Sequence, residues 1–291
     1  MPTRYRLGCQ LSYHLPQPAV FIFNVQIAHL QRHADLIETL RLTPETPLKT
    51  YSLPDVGNRY IRLQADAGPL TLEYQAEVTL DPYRGDPMRL CETPVQSLPP
   101  EIMAYLLPSR YVPSDQLSDY ARHEFGHLYA GYSRVTAICN WIYAHITYRR
   151  GVSDAHTTAT DTLLQRAGVC RDFAHLGIAF CRALDIPARF VSGYAYGLKP
   201  ADFHAAFEVW LDGHWWLFDA TRQAHLDGFI RIAAGRDAAD SAFCMEFGGN
   251  SDAGNINIHI ERLGNFSDSD ALTTDAISTD TPVGLDSKPE T

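Results

Sequence analysis

No two of the six cysteines (Cys9, Cys91, Cys139, Cys170, Cys181 and Cys244) form a CxxC pair. In a chain of 291 residues such scatter is not a disulfide framework, and it points to a reducing compartment and a cytoplasmic protein. Positive charge is also scarce: 24 Lys and Arg stand against 34 Asp and Glu, a formal net charge of −10. That balance argues against a nucleic-acid partner and against an anionic membrane surface. No apolar run approaches the roughly 20 residues of a transmembrane helix. The opening residues, Met1-Pro2-Thr3-Arg4-Tyr5-Arg6 and then Leu7-Gly8-Cys9-Gln10, lack the apolar stretch and small-residue cleavage site of a secretory signal. Hydrophobic residues make up 45% and charged residues 20%, so a sizeable core can be buried. The length suits one large domain or two ordinary ones.

Residues 1–80 read as a β-rich domain of sandwich type. Ala19–Ile27 is a strand-like apolar run, and residues 60–65 and 70–78 alternate apolar with polar. Prolines and glycines punctuate the gaps. Residues 81–132 read as a connector, extended rather than helical, because Pro82, Pro87, Pro94, Pro99, Pro100, Pro108 and Pro113 crowd its first part. Residues 133–263 read as an α+β core. Val135, Ile138, Cys139, Ile142 and Ile146 form one helical stripe with Ser133 as N-cap. A short helix over 160–166 then delivers the chain to Gly168, which suits a helix C-cap or tight turn. Residues 264–291 are rich in Ser, Thr and Asp with little apolar content, and read as a disordered tail.

The chemistry gathers at Gly168-Val169-Cys170-Arg171-Asp172-Phe173-Ala174-His175-Leu176. Phe173, Leu176, Gly177, Phe180, Cys181 and Leu184 follow helical spacing, and Asp185 and Pro187 end the run. A helix starting near Cys170 sets its thiol among unpaired backbone N–H groups at the positive end of the helix dipole, an environment that favours a thiolate. Downstream, Ala188–Tyr196, His204–Leu211 and His214–Asp219 read as strands. Asp212-Gly213 between the last two is the strongest short-range hairpin signal. A two-residue turn there pairs Leu211 with His214 and sets His204 opposite Thr221. Asp219 then lies diagonally across on the same face, about 7–8 Å away at Cα and within reach of a His–Asp hydrogen bond. A slip of one residue would separate the pair. The other face collects Ala205, Phe207, Val209, Leu211, Trp216 and Phe218, a dry surface for the core. A thiolate nucleophile, an imidazole to carry the proton and a carboxylate to fix the imidazole tautomer are the three parts of a catalytic triad. Cys170, His204 and Asp219 supply them.

These residues reach a known family. Residues from about 133 to 239 resemble the transglutaminase-like superfamily, through Gly168-Val169-Cys170-Arg171-Asp172-Phe173-Ala174, Asp202-Phe203-His204-Ala205-Ala206-Phe207-Glu208 and Trp216-Leu217-Phe218-Asp219-Ala220-Thr221-Arg222. Gly235-Arg236-Asp237-Ala238-Ala239-Asp240 is similar to the end of bacterial members, and the β-rich N-terminal part to the domain that precedes their core. The resemblance implies a papain-like core in which a helix carrying the cysteine packs on an antiparallel sheet. It also implies Cys170 as nucleophile, His204 as general base and acid, and Asp219 as its partner. The implied chemistry is acyl transfer from a peptide or protein amide through a thioester, without cofactor or metal, with the Cys170 N–H in the oxyanion hole. Water as acceptor makes a cysteine protease or amidase. An amine makes a protein-glutamine transglutaminase.

Two other readings stand beside this one. A catalytically silent binding module would keep the fold without the chemistry. His123-Glu124-Phe125-Gly126-His127 matches the H-E-x-x-H pattern of zinc metallopeptidases. Gly126 weakens a helix there by about 1 kcal/mol, and the residues that follow offer no clear third ligand. Four further residues are set apart from the triad: His175 reads as packed or solvated, Glu208 as tuning the site or pairing with an arginine, and Arg171 and Asp172 as binding substrate or stabilising the helix start.

Overall fold

The computed structural model describes residues 2–264 and 273–280. Six strands open the chain: β1 (Thr3–Leu15), β2 (Ala19–Phe23), β3 (His33–Thr43), β4 (Leu48–Leu53), β5 (Asn58–Ala65) and β6 (Gly68–Leu80). After β7 (Tyr83–Gly85) come short 3-10 turns, helix α1 (Ser118–Phe125) and helix α2 (Tyr132–His145). The elements β8 (Thr147–Tyr148), α3 (Ala159–Gln165), β9 (Ala167–Gly168) and α4 (Cys170–Ala183) follow. Then come β10 (Ala188–Ala195), β11 (Phe203–Leu211), β12 (His214–Phe218), β13 (Phe229–Gly235), β14 (Cys244–Phe247), β15 (Asp252–Leu263) and β16 (Ala276–Ser278). The architecture is α+β: a sandwich of two four-stranded sheets, ordered β15-β1-β6-β3 and β14-β2-β5-β4, beside a six-stranded sheet ordered β13-β10-β11-β12-β16-β7. That larger sheet is antiparallel throughout.

The alternating segments form strands because one face of each is dry. In β1, Tyr5, Leu7, Cys9 and Leu11 are buried; in β6, Leu70, Leu72, Tyr74, Ala76, Val78 and Leu80 are buried. The sandwich is not confined to residues 1–80. Strand β15 lies antiparallel to β1 and β14 to β2, so residues 244–263, assigned to the catalytic half from the sequence, complete the N-terminal sheets. The apolar core of the sandwich also takes in Tyr194, Ile230, Ile232 and Ala233, which binds the two halves together.

The proline-rich stretch is not a free connector. Leu90, Val112, Leu117, Ala121 and Phe125 are buried in the same core as α2 and α4. Prolines at positions 87 and 100 start 3-10 turns, where a missing N–H costs nothing, and α1 follows once the prolines end. The start of α2 also differs from expectation. Its N-cap is Gly131 at φ 111°, where a side chain would meet the Leu90 carbonyl at 2.4 Å, and the Ser133 hydroxyl donates back to Tyr129 O. Helix α3 is capped by Thr158 with a reciprocal Asp161 bond, and Arg166, rather than Gly168, takes the left-handed position at its end.

The expectation of a disordered tail from residue 264 fails over 273–280. Strand β16 inserts between β12 and β7, pairing Ile277 with Leu217 and Arg84, and Ala276 and Ile277 are fully buried. The remaining tail positions, 265–272 and 281–291, lie outside the described residues. Among the described residues no helix is long and apolar enough to cross a membrane.

Helix α4 is the hub of the half that carries Cys170 and is buried from Asp172 to Ala183. It rides close to the large sheet because Gly177 has no side chain: a Cβ there would lie 2.7 Å from ring carbons of Phe207. Ala205, Phe207, Val209, Leu211, Trp216 and Phe218 all fall in the core shared with α4, the dry face that the alternation indicates.

Candidate active site

Cys170 is the first residue of α4 and is partly exposed. Val169 before it is extended (φ −111°, ψ −177°), and its carbonyl accepts from the N–H groups of Asp172 and Phe173 at 2.9 and 3.0 Å. The Asp172 carboxylate reaches back to the Val169 N–H at 2.8 Å, while its other oxygen takes the Arg171 guanidinium at 3.0 Å. This closes the chain into a tight loop over Gly168, where a Cβ would lie 2.7 Å from that of Asp172. The spacing Gly168-x-x-x-Asp172 is therefore a helix-start device, and it leaves the Cys170 N–H among the first-turn groups without an intrahelical acceptor.

The imidazole comes from the sheet. Asp212 and Gly213 both take positive φ (51° and 80°), as a type I′ hairpin requires. The pairs run Leu211 with His214, Trp210 with Trp215, Val209 with Trp216, Glu208 with Leu217 and Phe207 with Phe218, the register expected from the turn. Extending beyond the ladder, it brings His204 Nε2 to 2.9 Å from Asp219 Oδ2. Both side chains are buried, at 0% and 3% exposure, so solvent screens their attraction little.

Asp219 is held in turn by Thr221. Its Oδ1 accepts from the Thr221 N–H at 2.8 Å and the Thr221 hydroxyl at 2.7 Å. Sequence reasoning used Thr221 only as a register mark. The Asp-x-Thr spacing, in which a carboxylate accepts from the backbone two residues on, is the signal that identifies this support.

Burial works against a charged His204. The Asp219 carboxylate outweighs it through charge and hydrogen bond, and the Cys170 thiol adds to the effect; together they lift His204 to about 10. For Asp219 burial favours the neutral acid, but His204 and Thr221 hold it below the ordinary aspartate value. Among the described residues no hydrogen bond engages His204 Nδ1, the nitrogen on the edge away from Asp219. Of the three residues singled out in the sequence, His204 and Asp219 are hydrogen-bonded to each other, and Cys170 lies near enough to act on the same imidazole.

The secondary candidates separate from this group. His175 is buried against Tyr111 (ring centroids 5.2 Å apart), its Nε2 accepts from Ala238 N–H at 3.1 Å, and burial holds it well below the ordinary histidine value. It is a neutral packing residue. Glu208 is fully buried between Arg189 and Arg231, with Nε of Arg189 at 2.7 Å. Cys139 lies near Asp219, but burial first and that carboxylate second push its thiol strongly up, so it stays protonated. His123 and His127 are exposed, at and just beyond the end of α1. Among the described residues no group of three His, Cys, Asp or Glu side chains is arranged to hold a metal.

Residues 120–220 match the transglutaminase-like superfamily, a span that contains Cys170, His204 and Asp219. A solved structure from Cytophaga hutchinsonii, provisionally named a cysteine protease, shares 39% identity over 96% of this chain and 98% of its own, with a TM-score of 0.89. The chain belongs to the transglutaminase-like superfamily. A Mycobacterium leprae protein described only as uncharacterized is 34% identical over 117 residues, 37% of this chain and 42% of its own length. Another from Mycobacterium tuberculosis is 36% identical over 114 residues, 34% of this chain and 36% of its own. The match thus spans less than half of each mycobacterial relative.

Proposed function

We propose that this protein is a cysteine-dependent amide acyl-transfer enzyme that acts on a peptide or protein substrate and passes the acyl group to water. The observation that carries the reading is the buried His204–Asp219 pair, 2.9 Å apart, with the Cys170 thiol contributing to the proton affinity of the same imidazole. The Cytophaga hutchinsonii relative, provisionally named a cysteine protease and alike over nearly its whole length, supports water as acceptor.

In this reading the Cys170 proton already rests on His204, whose imidazolium is held by Asp219, and the cysteine stands beside it as the thiolate. The thiolate attacks the amide carbonyl carbon. A C–S bond forms and the carbonyl π pair moves to oxygen, which accepts from the Cys170 N–H. The tetrahedral adduct collapses, the C–N bond breaks, and His204 returns the proton to the leaving amine. His204 then takes a proton from water as it adds to the thioester, and gives that proton to the departing thiolate. Asp219 stays ionised throughout and fixes which imidazole nitrogen faces the thiol.

The test is the rate of iodoacetamide alkylation at each of the six cysteines, resolved by peptide mass spectrometry from about pH 5 to pH 9. Selective labelling of Cys170 in the acid half of that range, lost in His204→Ala, is the expected result. If Cys170 labels no faster than the surface residue Cys91, the nucleophile assignment fails. A thioester formed on Cys170 and then chased with labelled water or a primary amine identifies the acceptor.

A further inference from the structure

We propose that the hydroxyl of Tyr148 is the second donor of the oxyanion site, acting with the Cys170 N–H on the carbonyl oxygen of the substrate. This deepens the function proposed above and rests on Cys170 being its nucleophile. Tyr148 lies on β8, which pairs in parallel with β9 so that Tyr148 stands beside Gly168, two residues before the cysteine. Hydrogen bonds on both sides fix that register: Thr147 N–H to Arg166 O and Arg149 N–H to Gly168 O, each 2.9 Å. The ring packs against Phe173 in the first turn of α4, with centroids 5.8 Å apart. The ring thus lies along the start of α4, near enough to Cys170 for its charge to act on the phenol.

That placement suits an oxyanion donor for three reasons. First, stabilising a tetrahedral adduct takes more than one preorganised donor, and a helix start supplies only backbone groups along its own axis. Second, the phenol is kept protonated: burial first, and then the neighbouring thiol, push Tyr148 up to about 12. Third, Tyr148 is only half-buried, so a carbonyl can approach from solvent and take the Cys170 N–H while the phenol turns its O–H onto the same oxygen. The O–H donates a hydrogen bond and keeps its proton. The thiol proton has gone to His204, the new bond is C–S, and the displaced π pair rests on the oxygen between the two donors.

The experiment compares two named reagents on the full chain and on Tyr148→Phe. Iodoacetamide alkylates a thiolate by displacement and creates no oxyanion, whereas p-nitrophenyl acetate acylates it through a tetrahedral oxyanion. Alkylation is measured on its alkaline plateau, where the thiolate is fully formed in both proteins. The expected result is an unchanged plateau, with acylation of Cys170 slowed by about 100-fold, the usual loss for one oxyanion donor. Equal acylation rates in the two proteins overturn the role of Tyr148 while leaving Cys170 as the nucleophile. A parallel fall in both rates also overturns it, because it means that the tyrosine acts only on the thiol. If Cys170 of the unaltered chain reacts selectively with neither reagent, the underlying function fails and this assignment fails with it.

Discussion

At His204 burial and charge pull in opposite directions, and charge wins. The side chain has no solvent exposure, yet its proton affinity is lifted to about 10 because Asp219 lies at 2.9 Å. The consequence for stability follows from linkage. A group whose folded value is raised stabilises fully below its unfolded value, about 6.5 for histidine, and loses that contribution as pH rises through the folded value. The stability advantage of the unaltered protein over His204→Gln is therefore expected to be largest below about pH 6.5 and to shrink as pH approaches about 10. Urea denaturation of both proteins across that range checks it, and a gap that widens with pH contradicts the buried ion pair. Thr221 offers a smaller test. Replacing it with valine removes the hydroxyl from Asp219 and keeps the backbone bond, so the carboxylate is less firmly held. Acylation of Cys170 is expected to slow by roughly tenfold, the rate equivalent of one hydrogen bond of about 1.4 kcal/mol. Rates for Thr221→Val and Thr221→Ser, measured together, separate loss of the hydroxyl from loss of the residue's shape.

At the scale of elements, the helix start and the hairpin deliver the two halves of the site, and they were legible in the sequence for different reasons. The hairpin is local. Asp212-Gly213 accepts positive φ at two successive positions, and the alternation beyond it admits one register, so the approach of His204 to Asp219 follows from the turn. The helix start was legible as an apolar stripe, but its mechanism was not. Gly168 reads as a C-cap from sequence, because glycine after a short helix usually serves that purpose. Its actual role is to let Asp172 fold back onto the Val169 N–H. Gly168→Ala is therefore expected to push Asp172 off that bond, costing about 1–3 kcal/mol by crowding a packed site, with a larger proportional loss in Cys170 labelling than in global stability. Chemical denaturation and iodoacetamide kinetics on the same sample distinguish a displaced helix start from simple unfolding. A variant with unchanged labelling would remove this loop from the account.

At the scale of the whole molecule, the halves interleave, and here the sequence is least informative. Strand β15 alternates well enough to be read as a strand, but nothing local says that its partner is β1, some 250 positions earlier. The segment 273–280 gives still less, since three buried residues, Ala276, Ile277 and Ser278, set no period. What holds that segment is buried charge. Asp280 contacts Arg189 at 2.6 Å and Arg231 at 3.0 Å, while Glu208 lies between the same two guanidiniums and takes the Thr279 hydroxyl at 3.0 Å. Two arginines and two carboxylates balance, and Arg189 also lies 4.2 Å from the centre of the Trp215 ring. Neutralising one carboxylate leaves a surplus positive charge where little solvent reaches, so Asp280→Asn is expected to cost about 2 kcal/mol, moderated by the partial exposure of that side chain. Burial disfavours the Asp280 carboxylate, but Arg231 and Arg189 together hold it well below the ordinary aspartate value. Its contribution is thus present above the unfolded value of about 3.9 and is lost as pH falls through the folded one. The stability gap between the unaltered chain and Asp280→Asn should be constant near neutrality and close only in strong acid. Denaturant midpoints measured from about pH 7 down to about pH 3 test this. A gap that already closes near pH 5 would mean that the carboxylate is not bound by the two arginines, and that the last strand is held by its apolar residues alone.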